Sequence, residues 1–248
     1  MIQIQDLHKS FGGNEVIKGI SLNVNKGEVL ALIGGSGKGK SVLLKHVTGL
    51  LKPDQGRVLV DGKDIARLRG GELTQVRRHM GFLFQGGALF DSMSVYDNVA
   101  FPLREKTKMN EAEIKEKVLD SLAQVGLAGA EDRFPSQISG GMVKRTAFAR
   151  ELVWHPEIML FDEPTTGLDP IIGNSILNLI DELHHKYAFT GIIVTHEIPR
   201  IFDIVDKVAM LHDGVILAEG KPEDIMSSQD PIIKQFIKGE IDGPISYR

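Results

Sequence analysis

Eight residues, GGSGKGKS from Gly34 to Ser41, set glycines, a lysine and a serine at the spacing a phosphate chain requires. They fit G-x-x-x-x-G-K-S/T. Gly34, Gly35, Gly37 and Gly39, with Ser36 among them, let the main chain wrap closely, and successive N–H groups at a helix start supply positive partial charge. Lys40 would hold the β and γ phosphates of a nucleotide and Ser41 would offer its hydroxyl to Mg2+, with Val42 next in the helix and Lys38 an extra cation inside the loop. A glycine-rich turn that binds nothing is the bland alternative. The strand-like EVLALI before the loop and the helix-like SVLLKHVTGL behind it favour the nucleotide.

A metal-assisted phosphate site also needs carboxylates. In IMLFDEPTTGLDP an apolar run ends at Asp162, which would orient the metal or its waters, and Glu163 follows as the candidate base for an attacking water. Gln85 closes another apolar run and reaches either a metal, a water or nothing more than a strand cap. His196 closes a third and could hydrogen-bond the γ-phosphate. Phe11 either stacks on adenine or is ordinary core. Further on, Ser139 is a good N-cap, and Gly140 and Gly141 behind it leave a bare helix start, a second place for an anion without a lysine of its own. The other histidines, His8, His46, His79, His155, His184, His185 and His212, read as structural.

The elements that must carry these residues alternate. Short apolar runs at 28–33, 80–84, 157–161, 191–195 and 207–211 have the length of buried strands and are interleaved with amphipathic helical patterns, which predicts α/β layers around a mostly parallel sheet. IQIQDL and ISLNV alternate instead, predicting an antiparallel sheet at an edge. Between Gln85 and Pro156 the strands stop. Ile114, Val118, Leu122 and Val125 recur at helical spacing, and Val143, Ala147 and Phe148 follow Ser139, so an inserted helical lobe is expected over 86–155. The expectation is one domain over 1–248, with 1–85 and 156–248 forming the core and 236–248 a tail.

Composition narrows the function classes. A chain of 248 residues that is 42% hydrophobic and 25% charged has an ordinary globular balance. A net charge of −4 with scattered basic residues predicts no nucleic-acid partner. There is no cysteine, so neither a disulfide framework nor a thiolate metal site. No apolar run approaches the roughly 18 residues of a membrane span, and MIQIQDLHKS lacks the pattern of a secretory signal; a cytoplasmic chain is expected.

Taken in order, these motifs resemble the nucleotide-binding subunits of ABC transporters, over roughly Ile2 to Ile237. Phe11 looks like the A-loop aromatic, Gly34–Ser41 the Walker A, Gln85 the Q-loop, Ile138–Met142 (ISGGM) the signature, Asp162 and Glu163 the Walker B pair, Gly167–Asp169 the D-loop and His196 the switch histidine. Two positions depart from the pattern: Met142 stands where glutamine is usual, and Phe11 where tyrosine is commoner. The resemblance implies a P-loop NTPase ABC cassette, with a RecA-like core, an antiparallel β subdomain and a helical subdomain. It also implies an ATPase using ATP and Mg2+, with Glu163, His196 and Gln85 at the reaction and Ser41, Gln85 and Asp162 at the metal. Two copies would pair head to tail on binding ATP, Ser139, Gly140 and Gly141 of one closing over the nucleotide of the other.

FQGGALFDSMSVYDNVAFPLRE (84–105), the SGGM variant and the tail FIKGEIDGP (236–244) are similar to the ATPases of Mla-type phospholipid systems. TTGLDP instead has the general ABC form. This narrower resemblance implies a peripheral protein on the cytoplasmic face of the inner membrane, working with an integral permease and an MCE-domain lipid-binding protein, with room for a small regulatory subunit. The runner-up is the ATPase of an amino-acid-type importer or of a division-associated complex. In a different class stands a soluble P-loop protein acting on nucleic acid or as a small-molecule kinase. The joint presence of SGGM, GLD and the terminal histidine speaks against it.

Overall fold

The computed structural model describes residues 1–246. They group into two compact units: Met1–Arg77 with Phe189 onwards, and Arg78–Ala188. In chain order the first unit supplies β1 (Ile2–Phe11), β2 (Asn14–Val24), β3 (Val29–Ile33), α1 (Lys40–Val47), β4 (Gln55–Val60), β5 (Lys63–Asp64) and α2 (Gly70–Arg77). The second runs β6 (Met80–Leu83), α3 (Val95–Lys106), α4 (Glu111–Gln124), α5 (Gly140–Leu152), β7 (Ile158–Asp162) and α6 (Pro170–Tyr187). The chain then returns to the first unit with β8 (Thr190–Thr195), β9 (Lys207–His212), β10 (Val215–Gly220), α7 (Pro222–Met226) and α8 (Pro231–Lys238).

The first unit holds an antiparallel sheet in the order β2-β1-β4-β5. Strict alternation would put Ile2, Ile4 and Asp6 on one face of β1. A bulge at Asp6, whose φ is 47°, shifts the phase by one residue so that Leu7 is buried beside Ile2 and Ile4. Its other strands run β10-β9-β3-β8, with β3 parallel to both β8 and β9 and β10 antiparallel to β9. Every residue of β3 is buried, as expected of a strand flanked on both edges and covered on both faces. That is why Val29–Ile33 reads as an unbroken apolar run. Strand β10 is not among the strands expected from the sequence. Its half-exposed VILAEG lacks clean alternation, but Asp213 and Gly214, both at positive φ, form the tight hairpin turn that an Asp-Gly pair signals.

In the second unit β6 pairs parallel with β7, and the Met159 side chain lies over Gly81, where a Cβ would stand 2.4 Å from its Sδ. Ile114, Val118 and Leu122 form the buried stripe of α4, which opens on a capping box between Asn110 and Glu113. Phe148 of α5 meets Phe161 of β7 edge to face at 5.4 Å, both rings buried. The helices expected over 86–155 thus group with β6, β7 and α6. Among the described residues no helix is long and apolar enough to cross a membrane.

The tail folds back on α8. Gln235, 2% exposed, accepts from Ile245 N–H and donates to the carbonyls of Glu240, Ile241 and Ile245. Tyr247 and Arg248, also in the expected tail, lie outside the described residues.

Candidate active site

Phe11, Gly34–Val42 and His196 belong to the first unit, and Gln85, Ser139–Gly141, Asp162 and Glu163 to the second. The loop of the first unit connects buried β3 to α1. Gly34 has φ 146°, and a Cβ there would stand 2.2 Å from the Leu211 carbonyl oxygen, so only glycine fits. Gly39, at φ 102°, is the N-cap of α1 and passes 3.0 Å from Val16 Cγ1 by the same test. These constraints fold the loop inward onto Lys40. That side chain is 4% exposed, and its Nζ donates to the carbonyls of Gly34 and Gly35 at 2.8 Å each. A buried ammonium would be costly without partners; here the loop's own main chain provides them.

Lys38 behaves differently. It is half-exposed and its Nζ bonds Asp213 at 2.8 Å, holding that carboxyl below the ordinary range. Such an exposed pair contributes about 0–1 kcal/mol, too little to constrain the loop as Lys40 does. Behind the loop, His46 is buried with Nδ1 2.8 Å from the Val42 carbonyl, and burial lowers its pKa, disfavouring the charged ring. Phe11 closes the β1–β2 hairpin, 44% exposed, with Lys9 Nζ 5.4 Å from its ring centre. His196 is exposed directly after β8, where Glu197 N–H donates 3.0 Å to Thr195 Oγ1 and turns the chain.

In the second unit β7 delivers Asp162, 8% exposed, to its C-terminal end. Glu163 follows in the left-handed region at φ 50°, a conformation that costs a non-glycine residue about 1–2 kcal/mol. Two donors aim its carboxylate: Thr166 Oγ1 at 2.9 Å and Gln85 Nε2 at 3.2 Å, both on Oε2. Gln85 and Glu163 are therefore brought together, and Thr166 is a partner the sequence reading missed.

Ser139 caps α5, its Oγ accepting from Met142 N–H at 3.3 Å. Ser139 and Gly140 are exposed, as a helix end open to an anion must be. Gly141 is buried, and a Cβ there would lie 2.5 Å from Ile172 Cγ2, so this glycine also answers to packing against the start of α6.

Lys144, one turn further on, was also missed. It is 5% exposed, on the same stripe of α5 as Gly141 and Phe148, and its Nζ donates to the Gln85 carbonyl. Burial lowers its pKa, while Glu163 and Asp162 pull it back up. The available signal was a cation at i+3 from Gly141 and i−4 from Phe148, on a face it shares with Glu151 at i+7.

Residues 17–166, more than half of the chain, match the family described as ABC transporter. Over all 248 residues the chain is 44% identical to the intermembrane phospholipid transport system ATP-binding protein MlaF of Haemophilus influenzae, covering 94% of that protein. At the same 44%, over 244 residues, it is similar to the probable ribonucleotide transport ATP-binding protein mkl of Mycobacterium bovis, covering 98% of this chain and 68% of that one. Among solved structures it is similar to the dimeric post-hydrolysis state of the ATP-binding cassette MJ0796 bound to ADP and Pi. The TM-score is 0.82 at 32% identity, over 90% of this chain and 99% of that chain.

Proposed function

This chain belongs to the ABC transporter family as an ATP-binding cassette with ATPase activity, and from that premise we propose that it powers phospholipid movement across a bacterial envelope. The observation that carries the reading is identity of 44% from end to end with a protein named for intermembrane phospholipid transport. On this reading the loop Gly34–Gly39, with Lys38, Lys40, Ser41 and Val42, holds the triphosphate, and Phe11 stacks on the adenine. Glu163 takes a proton from the attacking water, Gln85 aims it, and His196 contacts the γ-phosphate. Glu163 suits that part, because its carboxylate is already oriented by Gln85 and Thr166.

Ser41, Gln85 and Asp162 would hold Mg2+. Hydroxyl, amide and carboxylate oxygens are the hard donors this ion selects. Among the described residues no group of three or more His, Cys, Asp or Glu could hold a metal. Phosphate and water oxygens would fill the remaining positions, which is the usual manner of Mg2+. When bound, the ion neutralises charge developing on the phosphates.

Two copies pair on binding ATP, as the similar cassette is dimeric, and Ser139, Gly140 and Gly141 of each close over the nucleotide of the other. The pair sits peripherally on the cytoplasmic face of the inner membrane. It works with an integral permease and an MCE-domain protein, with room for a small regulatory subunit.

A second reading, ribonucleotide transport, has in its favour the equal identity of the mycobacterial relative. To separate them, the chain is purified with its permease from native membranes and reconstituted into vesicles. Fluorescent phospholipid transfer that requires ATP and ignores added ribonucleotide supports the first reading. ATP-dependent ribonucleotide uptake without lipid transfer overturns it.

A further inference from the structure

Helix α5 grips the segment after β6 with two cations. Lys144 Nζ donates to the Gln85 carbonyl; one and a half turns later, Arg150 donates from Nη1 to the Ala88 carbonyl at 2.7 Å and from Nη2 to the Gly87 carbonyl at 3.0 Å. Independently, a Cβ placed on Gly87 would lie 3.1 Å from Val143 Cγ1, so the segment lies flat against the helix. Arg150 is itself braced by Glu151, Nε to Oε1 at 3.2 Å, and Glu151 Oε2 lies 3.4 Å from the Phe82 N–H of β6. At the far end of this link the Gln85 amide donates to Glu163.

Lys144 is the less expected of the two grips. Its neighbours on the buried stripe, Gly141, Ala147 and Phe148, are small or apolar, and a methionine would fill the same volume without the cost of desolvating an ammonium. Arg150 already fixes two of the three carbonyls, so packing alone does not call for a second cation. What Lys144 adds is control of the one residue in the segment whose side chain meets the candidate base. It does so from a point on α5 only five residues, or about 7 Å of helix rise, after the Ser139 cap.

We propose that Lys144 is a positioning residue for ATP hydrolysis: by holding the Gln85 main chain to α5, it sets the Gln85 amide on Glu163 and ties the helix start at Ser139 to the base. The proposal rests on the reading of Glu163 as the base. A rigid helix gripped at one end and open to an anion at the other passes a displacement of Ser139 on to Gln85, so that closure and the geometry of the base change together.

A double-mutant cycle tests this, with kcat, KM for ATP, equilibrium ATP affinity and backbone hydrogen exchange over residues 85–88 measured on the full chain. Lys144→Met is expected to lower kcat about tenfold with KM for ATP within about twofold, and to speed exchange at Gly86, Gly87 and Ala88 while α4 stays protected. Lys144→Gln keeps a hydrogen-bond donor, one bond shorter, and is expected to recover kcat to within about threefold of wild type. In a Gln85→Ala background, where no amide remains to be aimed, Lys144→Met costs less than about twofold.

Equal losses in both backgrounds, a change in KM in place of kcat, or unaltered exchange overturns the proposal. Should Lys144→Met fail to fold, the same cycle is run with Lys144→Gln, expected to lose up to about threefold with Gln85 present and nothing measurable without it; equal losses again overturn it. If Glu163→Gln turns over ATP normally, the reading of the base fails, and with it the catalytic part of the proposal. Exchange at 86–88 in Lys144→Met then still decides whether Lys144 holds the segment.

Discussion

Lys40 and Lys144 are both lysines with less than a tenth of their surface exposed, and both give their ammonium to main-chain carbonyls. The carbonyls that receive Lys40 lie six and five residues back in the same loop, whereas the one that receives Lys144 lies 59 residues away. Lys40 of the first unit and these two acceptors thus lie within seven consecutive residues. In the second unit the candidate base is oriented by Gln85, which is 78 residues away and is itself held by a third element. One region is held by local main-chain geometry, and the other by tertiary packing.

Each half of that contrast can be broken separately. Glu163→Gln removes the candidate base from the packed region and leaves the loop alone; turnover is expected to fall about a thousandfold with ATP affinity nearly unchanged, measured by phosphate release beside nucleotide titration. Lys40→Ala attacks the local device. With Lys38 tied to Asp213, ATP affinity should fall about a hundredfold; retention within a few-fold of wild type contradicts the role given to the loop.

Gly141→Ala sharpens the contrast, because this glycine serves both a helix start and a tertiary contact. A Cβ 2.5 Å from Ile172 should cost about 1–3 kcal/mol by overpacking, read by denaturant unfolding. The same change at Gly140, where the contact is 3.2 Å from Leu168 Cδ2, should cost less.

The smallest effect is expected far from either lysine. Arg104 bonds Asp97 at 2.8 Å and Glu111 at 2.9 Å, and holds both carboxyls below the ordinary range. Carboxylates with depressed pKa stabilise the fold above their unfolded pKa and lose that contribution as pH falls through the folded value. Arg104→Ala should therefore lower Tm by about 1–2 °C at neutral pH, with the gap closing below about pH 4.

The same contrast explains what could be read beforehand. The five apolar runs became β3, β6, β7, β8 and β9, since strands buried on both faces advertise themselves by composition. The loop at 34–41 was legible because its glycines, its lysine and that lysine's acceptors are contiguous. Thr166 and Lys144 were not, for their meaning depends on which distant group the fold sets beside them. Gly141 was half legible: its place at a helix start was plain, but its contact with Ile172 needed the path of α6. The bulge at Asp6 escaped for a related reason, since a single residue out of phase looks like noise until the partner strand is seen.

On the proposed function, the loop of one copy and the Ser139 helix start of another serve the same ATP. Ser139→Arg and Lys40→Ala proteins, each expected to be inactive alone, are mixed in equal amounts and assayed for ATP hydrolysis. Random pairing gives mixed dimers in which one site joins an intact loop to an intact helix start, so activity should return to about a quarter of the wild-type rate. If the mixture stays as inactive as its two components, or if Ser139→Arg alone hydrolyses ATP at the wild-type rate, each copy works by itself and the claim is contradicted.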